Sequence, residues 1–401
     1  MRGVMQFNGK RLTQALSSRC MTQTSLSELI GYSSGTVSKW IKGQQLPEAY
    51  ALTQISNVLK FPENWFLKKD LDTGNQVSFF RSNATATQLL QRKAEAHLEI
   101  TFEASAYLEN WVNLPNVFFP KILSREESFL LTHTEIEKIA TEYREIWGLG
   151  NTPISNLITL LENVGVIVIR EHLGATSMDG VSKWILGRPY ILISSDKASA
   201  CRNRFDLAHE LAHLILHANL TTEDYKLRYK EIEKEAHYFA SCFLCPADGI
   251  AFDLHSPTLD SLLVLKKKWK VSVGALIMRG VSLNIISDDL STRLWRNYSY
   301  RKWRMGEPLD DVIKPEKPTL LSKMAKLLIS ENIFKKSQLK QDLAMMDEDI
   351  EILFGLPKGY MSEDFGVVVS LKDYAVKRPT HTRYVDDDNK IIQMKRSKEI
   401  S

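Results

Sequence analysis

The stretch RFDLAHELAHLILH, Arg204 to His217, sets three histidines and a glutamate in a run that is apolar between them from Leu207 onward. Leu207, Ala208, Leu211, Ala212, Leu214 and Ile215 follow helical spacing and predict a buried helix. Residues four apart share a helix face, so His209 and His213 point the same way with Glu210 beside the first. Two imidazoles and a carboxylate are costly to bury without partners. One reading is a core helix whose histidines are satisfied by hydrogen bonds. The other is a metal site, with His209 and His213 on one ion and Glu210 reaching a water held there. The spacing favours the second.

A catalytic zinc takes three protein ligands and keeps a fourth position open. The spacing HExxHxxxH does not fit the metzincin pattern, so His217 is read as capping the helix end or packing structurally. The next helical stretch, KEIEKEAHYFASCFLCP from Lys230 to the stop at Pro246, offers Glu231, Glu233, Glu235 and His237. Glu233, Ala236, His237 and Ala240 fall on one face, and the alanines would let it approach Ala208 and Ala212 closely. Glu235 points elsewhere, about 200° round at roughly 100° per residue. Glu233 is therefore the expected third ligand, Glu235 the reserve, and His237 a side chain that orients a ligand from behind. With one Zn2+ per chain, the implied chemistry is amide hydrolysis, Glu210 taking a proton from the attacking water and returning it to the leaving amine.

Working outward, VIVIREHL (166–173) and PYILISS (189–195) read as strands, rich in β-branched residues and bounded by Gly or Pro. EIEKIATEYREIWGL (135–149) and ISNLITLLENVG (154–165) read as amphipathic helices. Upstream, MTQTSLSELIGYSSGTVSKWIKGQQLP (21–47) reads as helix, glycine turn, helix, glycine turn. Gly31 suits the tight turn, Ser33 the N-cap of the second helix, and Leu26, Leu29, Ile30, Val37 and Ile41 the interior. Ser34, Gly35, Thr36, Ser38 and Lys39 then lie near the start of an exposed helix, where small polar side chains and a lysine can approach base edges and phosphates. Gln23, opening the preceding helix, is placed to reach a phosphate. A helix-turn-helix used for protein contact or dimerisation is the alternative. The expected organisation is a helix-turn-helix domain over 8–67, a linker and connecting helix over 68–134, a catalytic domain over 135–290, a helical region over 291–376 and a loose tail over 377–401. The fold class is thus multidomain and mainly α, an all-α head joined to an α+β domain with a small β-sheet.

Two resemblances sharpen these expectations. SMDGVSKWILGRPYILISSDKASACRNRFDLAHELAHLILH (177–217), followed by EKEAHYFASCFLCP (233–246), resembles the ImmA/IrrE metallopeptidase family. That family's pattern is a Gly-Val strand, a DG-S turn, a Pro-bounded strand, RRFxxAHELGHLxLH and then ExEANxFAxxLLMP. The likeness runs from about Ile154 to Pro246 and more weakly to about Leu283. It implies an α+β gluzincin-like metallopeptidase domain, a zinc peptidase that cleaves specific repressors, with His209, His213 and Glu233 on the ligand positions and Glu210 on the base. Three departures stand out: Ala212 for Gly, His237 for Asn, and CFLCP for LLMP. None removes a ligand or the base, but His237 bears on what surrounds the metal and on the ligand count. Residues 21–47 are similar, without a gap, to the XRE/Cro-type pattern LTQEELAEKLGVSxxTISKWExGxxxP, with Ser27 for Ala and Ile41 for Glu.

Composition sets the outer limits. With 44% hydrophobic and 25% charged residues, the chain has the balance of a folded rather than disordered protein. A net charge of +4 leaves DNA binding to be argued from local arrangement. No apolar run approaches the roughly 18–20 residues of a membrane helix. The amino terminus lacks the apolar core of a secretory signal, and four cysteines cannot frame a disulfide scaffold, so a cytoplasmic protein is expected. Cys242 and Cys245 read as core packing rather than a redox pair. Arg202 and Arg204 are read either as substrate contacts or as surface ion pairs. The DGVS turn (179–182) is read as a possible wall of the cleft, Trp184 as core rather than cleft lining, and the LKKKWK run at Leu265 as a solvated helix face rather than a nucleic-acid contact.

The first functional reading is a cytoplasmic regulator that binds duplex DNA, as a homodimer where two half-sites are read, and cleaves a protein substrate, a small XRE-type repressor. The second is a transcription factor whose peptidase fold acts as a sensor or scaffold. The third is an antitoxin-like binding protein that recruits a partner.

Overall fold

The structure, a computed structural model, describes residues 3–70, 79–80, 85–174, 178–196 and 199–362. Part of the expected linker and all of the expected tail over 377–401 lie outside those residues. The described residues fall into two compact units. One lies within Met1–Leu71, Ile100–Pro115 and Thr319–Ser401; the other lies within Asp72–Glu99 and Asn116–Pro318. Within the stretch 291–376, the described residues up to Pro318 group with the second unit and those from Thr319 with the first.

In the first unit, four helices, α1 (Gly9–Ser18), α2 (Gln23–Ile30), α3 (Ser34–Ile41) and α4 (Ala49–Leu59), enclose Leu12, Leu26, Ile30, Val37, Trp40 and Ile55. Gly31 ends α2 at φ 74°, a left-handed turn that glycine adopts without strain, and the Ser33 hydroxyl caps α3 by accepting from the Thr36 amide at 3.1 Å. Two of the expected core positions differ. Leu29 is 62% exposed and Ile41 only half-buried, while Trp40 fills the interior and meets Tyr32 edge to face. The larger indole removes more apolar surface from water than Ile41 would, so α3 is turned to bury it. Helices Leu320–Ser330, Lys336–Leu343 and Asp347–Phe354 complete the unit. The Arg19 guanidinium grips both oxygens of Asp349, at 2.8 and 2.6 Å, and lies over Phe61.

The second unit is built on a mixed sheet in the order β1-β3-β4-β2, from β1 (Phe79–Phe80), β2 (Ile167–Glu171), β3 (Gly180–Ile185) and β4 (Arg188–Ser194). β3 and β4 form an antiparallel hairpin, and β2 lies parallel to β4 in the register Val168 to Ile191. β3 and β4 are buried almost throughout, Ser182 and Lys183 of β3 included. Across the sheet runs α5 (Ala200–Ala212), capped by Ser199. Against α5 packs α6 (Thr222–Leu244), opened by a capping box of Thr221 and Asp224. Ala208, Ala212, Ala236 and Ala240 are all fully buried, consistent with the close approach that small side chains allow. Among the described residues, no helix is long and apolar enough to cross a membrane.

Candidate metal centre

The α5 helix does not end as a regular α-helix. From His213 to His217 it widens into one π-turn, which breaks the usual bonding and frees backbone carbonyls. Each freed carbonyl is taken up by a distant group. Trp184 Nε1 donates to Leu214 O at 3.1 Å, the Leu123 amide to Ile215 O at 3.0 Å, and the Ser128 hydroxyl to Leu216 O at 2.5 Å. Buried backbone acceptors need such partners. Trp184 is core, as expected, and it also anchors this turn.

His209 Nε2 and His213 Nε2 lie 3.0 Å apart. Glu233 on α6 brings one oxygen to 3.3 Å from His209 Nε2 and the other to 3.6 Å from His213 Nε2. Ligands about 2.0–2.1 Å from a tetrahedral zinc stand about 3.3–3.4 Å from one another. The three donors are therefore gathered at the separations one small ion requires. Both Glu233 oxygens are buried and receive no hydrogen bond. Burial, reinforced by the neighbouring His209, pushes the His213 pKa well down, so its ring is neutral with a lone pair to offer. Buried carboxylate oxygens without hydrogen-bond donors beside two imidazoles form a donor set suited to a divalent cation.

Glu210 is 3% exposed and lies against the start of β3. A Cβ added at Gly180 would sit 3.0 Å from Glu210 Cγ and 3.1 Å from its Oε1, so the DG turn keeps glycine where Glu210 needs room. The sequence marked this turn only as a possible wall of the cleft; its close contact with Glu210 is a finding of the fold.

Glu235 faces away from the three donors. It accepts from His217 Nε2 at 3.0 Å and from Arg228 at 2.8 Å. His217, fully buried, also meets His213, Nδ1 to Nδ1, at 3.0 Å, so it does more than cap a helix end. His237 lies between two rings, its own centroid 4.6 Å from that of His209 and 5.6 Å from that of Phe205, tilted to both. His209, Glu233 and His237 can bring one ligand atom each to within 4.8 Å of one another. His237 also lines a cleft of about 620 Å³ together with Arg202, Phe205, Asp206, Trp303 and Arg304. Trp303 and Arg304 come from a segment in which the sequence carried no signal of a site.

The two arginines before the motif part company. Arg202 lines the cleft and is half-exposed. Arg204 is 3% exposed, pairs with Glu316 and donates to Ile154 O, so it holds the fold together. Cys242 and Cys245 are free and buried; burial pushes both thiol pKa values up, Cys245 to about 12, which keeps them unreactive at neutral pH. Lys266, in the run expected to be solvated, is buried between Glu307 and Asp310 at 2.9 and 2.7 Å. A lysine removed from water is tolerated there because two carboxylates compensate it.

In the first unit, Ser34 and Gly35 are exposed at the start of α3 and Lys39 is exposed in its last turn, with Thr36 and Ser38 half-buried between them. The Thr36 hydroxyl shares a hydrogen bond with Ser33 Oγ at 2.9 Å. Gln23 spends its amide on Ser34 O at 2.7 Å, tying the starts of α2 and α3 together.

Residues 161–279 match the IrrE N-terminal-like domain of the M78 peptidases, and residues 19–66 match a helix-turn-helix model. No curated protein matches the chain. The polypeptide thus joins a helix-turn-helix domain to a peptidase-like domain of the M78 family.

Proposed function

We propose that this chain is a DNA-binding regulator whose second domain is a zinc-dependent peptidase acting on a specific protein, a small repressor of the XRE type. The observation that carries the peptidase reading is the convergence of His209, His213 and Glu233, with Glu210 next to His209 on the same helix and His237, whose ring lies 4.6 Å from that of His209, lining a cleft. His209, His213 and Glu233 would hold the ion. When bound, zinc brings the pKa of a coordinated water toward roughly 7 and polarises a carbonyl. Glu210 Oε takes the proton of the attacking water and delivers it to the leaving amine nitrogen. The cleft seats the peptide, with Arg202 and Arg304 as donors toward its carbonyls or acidic side chains. Four free cysteines accord with a reducing cytoplasm. Incubating the full-length protein and zinc with such a repressor should yield two fragments by mass spectrometry, and none once a chelator is added.

One observation favours a second reading. His237 stands close enough to His209 and Glu233 to serve as another donor. A closed set of protein ligands is the mark of structural sites, whereas catalytic ones keep a position open. With His237 bound, the domain would act as a metal-loaded sensor or scaffold, with DNA binding as its output.

For the first domain, the exposed start of α3 supports duplex DNA binding, two copies reading two half-sites. Lys39→Ala should weaken binding to every sequence and reduce the salt slope by about one unit, because one phosphate contact is lost. Changes at Ser34 or Thr36 should instead alter which sequence is preferred. Fluorescence titrations of the full-length protein at several salt concentrations check both. An absence of DNA binding even at low salt would assign this domain to protein contact.

A further inference from the structure

His217 and Glu235 lie outside the three donors, yet they are joined to them by a continuous line of hydrogen bonds. The line runs from Arg228 to Glu235 Oε1 at 2.8 Å, from Glu235 Oε2 to His217 Nε2 at 3.0 Å, and from His217 Nδ1 to His213 Nδ1 at 3.0 Å. His217 is 0% exposed, and Glu235 and Arg228 are largely covered. Two local departures from regular helix make the line possible. The π-turn over His213–His217 sets how the two rings face. The backbone of α6 leaves helical geometry at Arg228 (φ −110°, ψ 18°), and its guanidinium reaches Glu235 seven residues on. Arg228 is itself anchored, donating to Ser128 O at 3.0 Å and lying 4.6 Å over the Phe129 ring.

Proton bookkeeping along this line has one consistent solution for neutral rings. A carboxylate only accepts, so the proton of His217 sits on Nε2. His217 Nδ1 is then an acceptor, and the hydrogen between the two rings belongs to His213 Nδ1. A neutral imidazole carries one N–H, so His213 Nε2 is left as a bare lone pair, directed at His209 and Glu233.

We infer that His217 and Glu235 are positioning residues, a hydrogen-bonded relay that locks His213 in the Nδ1–H tautomer and so presets its Nε2 for a divalent cation. This rests on the reading that His209, His213 and Glu233 hold that ion. In most metal sites a carboxylate or carbonyl holds the ligand histidine directly. Here a second imidazole is interposed, and the anchoring charge pair sits one ring further from the metal.

The test uses the full-length protein and Co2+ or Zn2+ alone. Affinity is measured by competition with a chelating dye, and the Co2+ visible spectrum reports ligand geometry. His217→Phe fills the space without accepting a hydrogen bond, and should weaken binding about 10–100-fold and alter the Co2+ spectrum. His217→Gln, which can accept and donate, should recover much of both. A purely packing role predicts the reverse order, with Phe better tolerated than Gln. Should His217→Phe not fold, 15N-histidine spectra of the metal-free wild type decide the matter: His213 protonated on Nδ1 supports the relay, and His213 protonated on Nε2 overturns it. Wild-type affinity and spectrum in a folded His217→Phe variant also overturn it. If the wild type binds neither metal, the metal-site reading itself fails, an outcome distinct from either.

Discussion

Glu210→Gln should abolish cleavage of the repressor substrate while leaving metal content and fold intact. Glutamine has nearly the same volume, so the contact with Gly180, where the carboxylate is already packed as closely as a glycine allows, is preserved. The amide has no basic oxygen and cannot take a proton from water. General base catalysis contributes roughly 10²- to 10⁴-fold, which is about 3–5 kcal/mol of barrier. The loss should therefore appear in the cleavage rate, with metal content by elemental analysis unchanged, because Glu210 is not among the three converged donors. Cleavage at the wild-type rate in this variant would remove Glu210 from the base role. If the wild type itself never cleaves, and the variant still regulates its target gene, the domain is a sensor and His237 becomes the residue of interest.

Much of this site could be read from spacing alone, because spacing on a helix translates directly into direction. The pairing of His209 with His213, and the separation of Glu233 from Glu235 by their angle around α6, needed only a regular helix and the covered alanines between the two. The π-turn could not be read in that way. It is stabilised by Trp184, Leu123 and Ser128, which lie 30 to 92 residues away along the chain, and nothing in the local sequence HLILH distinguishes it from an α-helical turn. His217 was therefore expected to cap or pack, and its bond to His213 went unseen. The same holds for Lys266, whose run of lysines suggests solvent until Glu307 and Asp310 arrive from 41 and 44 residues further on. In the helix-turn-helix, the glycine turn and Ser33 cap were legible because turn geometry restricts residue type. The choice of Trp40 over Ile41 for the core was not, since neighbouring apolar residues on a short helix compete for one face, and tertiary packing decides. Arg204 illustrates the converse. Its position before the motif left substrate contact and surface pairing equally open, but its partners, Glu316 and Ile154 O, come from segments that no periodicity connects.

His213→Ala should strip the metal. The wild type is expected to carry about one divalent ion per chain, and zinc should be the ion recovered, since two imidazoles and a carboxylate at these separations suit it. Removing one of three protein ligands leaves His209 and Glu233, a pair whose geometry fits many surface sites of weak affinity. It also leaves His217 Nδ1 facing a void where the His213 ring had been. Both effects act in the same direction. Because the ion binds the folded state alone, saturating it at about 100 times its dissociation constant should stabilise the wild type by about 2.7 kcal/mol. In a domain of this size each kcal/mol moves Tm by roughly 2–4 °C, so zinc should raise the wild-type melting temperature by about 5–11 °C. The same addition should leave His213→Ala almost unmoved. Differential scanning calorimetry with and without zinc, paired with elemental analysis, reads both quantities on one preparation. A wild type that contains no metal and does not respond to added zinc would sink the peptidase and metal-sensor readings together. A His213→Ala variant that keeps its ion would mean that His209, Glu233 and His237 hold it, the set whose ligand atoms can lie within 4.8 Å of one another.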